Sequence, residues 1–217
     1  MQRILAGLLA LLCLAGCRAD LIEVRVSASD LAAALAGERV EVPFEATYET
    51  FGALDADERR DLEHLREIAE RYLVIEDFEV ANVGSSTTVE IEGMLPIVRR
   101  DELHRHVYAL VVEKANEPGL DAFPYRLSLA AGERFAAMKK EMQGVNYMSA
   151  PDDVNPVRFR LRADGAGGID VLAGGFSLDG ASHGISVVSI PQGRSVSLTF
   201  KGGAYDAVGG TLLFSEP

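Results

Sequence analysis

The chain has 217 residues, 48% of them hydrophobic and 25% charged, which is enough to bury a real core in one domain or one domain with a small appendage. Its formal charge of −12 repels phosphate backbones and anionic lipid surfaces, and so argues against a nucleic-acid role and against electrostatic membrane docking. Its two cysteines, Cys13 and Cys17, both precede the first predicted strand, so the rest of the fold has no disulfide to draw on and rests on packing.

Met1-Gln2-Arg3 supplies a positive start, and Ile4 to Leu14 is an almost unbroken apolar run. That run is shorter than the roughly 20 residues a helix needs to cross a ~30 Å hydrocarbon layer. It reads as a secretory signal peptide, removed over residues 1–16. Leu14-Ala15-Gly16-Cys17 resembles the lipobox of bacterial lipoproteins. The resemblance implies that Cys17 is acylated, that the peptide before it is removed, and that the lipid moors the protein to a membrane. Arg3 is the one charged residue lost, which leaves the mature chain near −13. Arg18 follows the cysteine where aspartate favours inner-membrane retention in enteric bacteria, which implies an outer-membrane site facing the periplasm. Arg18, Ala19 and Asp20 reach about 10–14 Å when extended, so the folded body is expected close to the bilayer.

Leu21 to Val26 alternates apolar and polar residues and predicts a half-buried strand. Ser27 and Asp30 mark a helix start, Leu31 to Leu35 a short helix, and Gly37 its end. Val40 to Tyr48 returns to strand. The clearest helix runs from Ala56 to Tyr72, started by Asp55 and Glu58, with Leu62, Leu65, Ile68, Ala69, Tyr72 and Leu73 as its apolar stripe. Strands follow at Val74 to Asn82 and Thr87 to Val98, joined through Gly84-Ser85-Ser86. Val107 to Glu113 fits either period, and its β-branched residues favour strand. Tyr125 to Ala130 reads as a strand, and Ala131 to Gln143 as a helix with Phe135, Met138 and Met142 inward.

The texture changes at Pro151. Twelve of the 21 glycines fall between Gly165 and Gly210, separating short alternating segments that read as about five antiparallel strands. The expected class is therefore α+β: antiparallel sheet with two or three amphipathic helices over 17–150, and a glycine-rich all-β region over 151–217 in the same or a separate domain.

Four places hold residues with chemical potential. His104 and His106 are two apart and share one side of a strand, where a metal would need a third ligand such as Asp101 or Glu102; solvated turn residues are the commoner use of such a pair. Asp164 and Asp170 bracket the glycine loop 165–168, a calcium-like arrangement without the helix-bracketed ligand ladder. Ser182-His183 sits in a glycine-flanked turn, but no Gly-x-Ser-x-Gly elbow occurs. Glu113, Glu117 and Asp121 could pair for sugar cleavage, although sequence spacing does not set their separation. No P-loop, dinucleotide fingerprint, zincin helix or Cys-x-x-Cys is present. The expectation is no catalytic residue, no metal and no cofactor, with Cys17 as the one assigned site.

The lipobox, then Ile22-Glu23-Val24-Arg25-Val26, Ser27-Ala28-Ser29-Asp30-Leu31 and Val40-Glu41-Val42-Pro43, together look like uncharacterised prophage-associated envelope lipoproteins. The resemblance covers about the first quarter of the chain. It implies an envelope protein of phage or mobile-element origin, with superinfection exclusion as one role, and it transfers no catalytic residue. The expected function is a non-enzymatic, membrane-anchored protein that binds an envelope partner and no nucleic acid. The alternatives are a lipid-anchored hydrolase of cell-wall or glycan material, and a purely structural or assembly role. An enzyme should gather His104, His106 or His183 with carboxylates in a cleft, whereas a binder should expose an apolar patch or a sheet edge.

Overall fold

A computed structural model describes residues 21–146, 155–201 and 210–217. The leader, Cys17 with its expected lipid, and the expected break at Tyr147 to Pro151 lie outside the described residues. In chain order the elements are β1 (Leu21–Ser27), α1 (Ala28–Leu35), β2 (Val40–Phe51), α2 (Ala56–Tyr72), β3 (Val74–Val83) and β4 (Ser86–Val98). A 3₁₀ helix (Arg100–Arg105) leads to β5 (Tyr108–Lys114), β6 (Tyr125–Ala131) and α3 (Glu133–Val145). Then come β7 (Val157–Arg162), β8 (Ile169–Leu178), β9 (Ala181–Ile190), β10 (Ser195–Phe200) and β11 (Thr211–Phe214).

The local signals formed as read at both early helices. Ser27 Oγ accepts from the Asp30 backbone N–H at 3.1 Å while Asp30 accepts from the Ser27 N–H at 2.9 Å, a closed capping box for α1. Asp55 and Glu58 do the same for α2. On α2, Ile68 and Ala69 are buried and Leu65, Tyr72 and Leu73 pack against the core at partial burial. Glu141 of α3 accepts from both Arg71 and Tyr72 of α2, joining the two helices at their polar margin.

The expected α+β class is corrected by the sheet. The chain is mostly strand, and nine strands close into a barrel in the order β10-β7-β1-β2-β4-β5-β6-β11-β8. Ser177 and Leu178 of β8 return to pair Thr199 and Leu198 of β10 and complete the circuit. β3 is attached outside this path to β4, and β9 to β8. Strands from both sides of residue 151 alternate around the wall: β7 lies parallel to β1 with Val24 opposite Phe159, and β11 sits between β6 and β8. Period-two alternation fixes which side chains share a face, but it carries no information about which distant strand comes alongside. Closure then satisfies the edges that an open sheet would leave bare.

The barrel is filled with side chains. Val24, Leu127, Phe159, Phe176 and Phe214 are fully buried within one continuous cluster. Phe159 and Phe200 meet edge to face with centroids 5.9 Å apart. Leu31 and Ala34 of α1 join the same cluster, as do Phe135, Met138 and Met142 of α3. A smaller cluster of Val98, Ala109 and Val111 lies apart from the main core, with Leu103 from the 3₁₀ helix packed against it. Glycine is required where β3 crosses onto β4: a Cβ on Gly93 would lie 2.1 Å from the Val74 carbonyl oxygen and 2.8 Å from the Phe44 ring.

Candidate functional site

The predicted chemical residues are placed singly rather than together. His104 is exposed, with Nδ1 2.7 Å from the Asp101 carbonyl oxygen, which ties the ring to its own turn. His106, at the end of the same 3₁₀ helix, is half-buried and lines a cleft that His104 does not line. Among the described residues no three His, Cys, Asp or Glu side chains gather where one metal could hold them.

Asp164 and Asp170 have structural partners. Asp164 accepts from the Ser29 N–H at 3.0 Å and from Ser29 Oγ at 2.7 Å, fastening the glycine loop to the start of α1. Burial pushes the Asp164 carboxyl upward, and the hydrogen bonds from Ser29 outweigh it and hold the group below its ordinary value. Asp170 exchanges backbone contacts with Ser215, its N–H donating to Ser215 Oγ at 3.0 Å. Ser182 and His183 lie on β9, where the imidazole stacks on the Phe176 ring at 5.2 Å instead of facing the serine as a base. Glu113 pairs with Arg100 at 2.9 Å and Arg126 at 3.5 Å, Arg126 also pairs with Glu117, and the Arg100 hydrogen bond holds Glu113 below the usual carboxylate range. Asp121 is exposed on the turn between β5 and β6.

Two surfaces remain. The first is a cleft of about 410 Å³ where the start of β2, the end of β4, α1 and the 3₁₀ helix meet. Ala34, Val40, Ile97 and Val98 give it apolar lining, and Arg39–Glu41 at 2.9 Å and Arg99–Glu102 at 3.7 Å form ion pairs beside it. Burial pushes His106 below its ordinary pKa, against the raising pull of Glu102. Among the described residues the lining contains no serine, threonine, cysteine or lysine, so its candidate nucleophiles are the carboxylates of Glu38, Glu41 and Glu102.

The second surface is the outer face of β11, β8 and β9. Leu213 pairs with Leu172, and Leu172 with Val187; Gly174 pairs with Ile185 on the next rung. Ile185 is 82% exposed and Val187 53%, among the most exposed large apolar residues of those described. Among the described residues β9 pairs only with β8, so its other edge offers backbone donors and acceptors over ten residues, none of them Lys, Arg, Asp or Glu. Sequence alternation groups Ile185 with Val187 on one face; that this face is solvent depends on β8 having its barrel interior on the other side.

No family model and no curated protein matches this chain.

Proposed function

We propose that the protein is a lipid-anchored envelope protein with a non-enzymatic binding role, carried on acylated Cys17 at the outer membrane and facing the periplasm. The partner is a protein segment that adds to β9 as a further strand. The observation that carries this reading is the uncharged ten-residue edge of β9, unpaired among the described residues, beside exposed Ile185 and Val187. Strand addition draws affinity from main-chain hydrogen bonds and specificity from alternate side chains, and β9 offers both. A body near −13 after leader removal disfavours an acidic partner, so the added segment is neutral or flanked by basic residues. The packed barrel interior supports a binding surface on the outside rather than a ligand chamber within.

The test is capture of partners by the acylated protein from its native envelope, run beside the double variant Ile185→Lys/Val187→Lys. Stoichiometric capture lost in the variant supports the reading. Capture unchanged by the variant removes β9 from it, and self-capture alone would make the partner a second copy.

The hydrolase reading has one observation in its favour, half-buried His106 with Glu102 in one cleft. Glu38, Glu41 and Glu102 are the carboxylates of the lining, so it would run by acid–base or carboxylate-nucleophile hydrolysis. Turnover of cell-wall fragments that vanishes in His106→Gln would establish it in place of the binding reading.

A further inference from the structure

The outer face of β7 carries Arg158, Arg160 and Arg162 at alternate positions, about 6.6–7 Å apart along the strand. Register sets Glu23, Arg25 and Ser27 of β1 on one side of them and Thr199, Ser197 and Ser195 of β10 on the other. Compensation thins out along this column. Arg158 is satisfied, at 3.2 Å from Glu23 Oε2 and 3.1 Å from Thr199 Oγ1. Arg160 reaches Glu23 only at 3.9 Å, with its side chain 56% exposed. Directly opposite Arg160 stands Arg25, a like charge already held by Glu45 at 2.8 Å and Glu23 at 3.4 Å. Arg162 is exposed and makes no ion pair among the described residues.

Like charges directly opposite on neighbouring strands destabilise a sheet. In a chain with 33 acidic and 21 basic residues, no carboxylate among the described residues forms an ion pair with Arg162. The carboxylates of Asp30 and Asp164, beside its register partner Ser27, are committed to hydrogen bonds from Ser27 and Ser29. At physiological ionic strength the Debye length is about 8 Å, so these guanidinium groups respond to their neighbours more than to the −12 of the whole chain.

We propose that Arg160 and Arg162, with Arg25 beside them and the hydroxyls of Ser195 and Ser197 opposite, form a binding site for phosphate groups of an anionic ligand. Guanidinium forks match phosphate oxygens two at a time, and the serine hydroxyls donate to the oxygens left over.

The test is calorimetric titration of the full-length lipidated protein in neutral detergent. One arm uses inorganic tripolyphosphate, and the other uses micelles doped with phosphatidylglycerol or, as control, phosphatidylcholine. Tripolyphosphate binding at low salt is expected to weaken tenfold or more in Arg160→Gln/Arg162→Gln and to stay unchanged in Arg99→Gln, which lies at the cleft. Binding of phosphatidylglycerol alone, with the same dependence on the arginine pair, would assign the phosphate to a lipid headgroup. Absence of binding in both arms, or equal binding by the double variant and the wild type, would overturn the proposal.

Discussion

Arg158 donates through Nη1 to Glu23 at 3.2 Å, joining two strands 135 positions apart in the chain. The pair sits on the rung where β1 and β7 run parallel, so the first and last thirds of the molecule share one wall. A chain truncated after residue 150 would leave β1 without β7 and β6 without β11, opening the barrel on two sides. Such a fragment is expected to lose its cooperative thermal transition altogether. A sharp transition near that of the whole chain, seen by circular dichroism, would contradict the single-barrel reading of the wall.

Phe159 is fully buried and meets both Phe200 and the strand carrying Val24. Phe159→Ala removes most of that contact and leaves a cavity that the closed wall cannot collapse to fill. The expected cost is about 3–5 kcal/mol, read from the denaturant midpoint at unchanged slope.

Asp55 accepts from the N–H groups of Asp57 at 2.8 Å and Glu58 at 2.9 Å, satisfying donors that the first turn of α2 cannot. Asp55→Ala should cost about 1 kcal/mol, while Asp55→Ser should recover most of it. Equal stability of the alanine and serine variants would mean the cap is idle.

His106 has a folded-state pKa below its ordinary 6.5 because it is partly buried. The unfolded chain therefore binds a proton at this residue more readily than the native one does. Stability tied to the neutral imidazole is complete above the unfolded value and is lost as pH falls from there through the depressed folded value. Nuclear magnetic resonance titration should place the His106 midpoint below 6.5, and His106→Gln should flatten the stability profile over that window.

Ile185 and Val187 face solvent, so replacing both by lysine is expected to leave stability within about 0.5 kcal/mol per substitution. A larger loss, measured by thermal unfolding, would mean that this face is covered within the molecule and is not a surface for a partner.

Much of the local structure was legible in residue order. The boundaries of α2 follow from Asp55, Glu58 and the apolar stripe, and the strand reading of Val107 to Glu113 agrees with β5. The candidate chemistry was less legible. His104 and His106 are two positions apart, but a 3₁₀ helix rather than a strand carries the first and ends at the second, so the two rings diverge. Asp164 borders a calcium-like glycine loop in the sequence, and the partner of both its oxygens, Ser29, lies 135 positions away. The arginines of β7 and the pair Ile185 and Val187 alternate visibly in the sequence, but which face is outward and which edge is bare depend on the strand that lies next to each.

The residue order alone determined where helices start, where strands alternate and where glycine permits a turn, since those choices are made by neighbours within a few positions. Only the tertiary structure decided that the strands on either side of residue 151 form one closed wall. Alternation repeats every two residues in any strand and is satisfied by many pairings. Selecting one requires the core of Val24, Phe159, Phe200 and Phe214 to close around itself, and that condition is met by the whole chain at once.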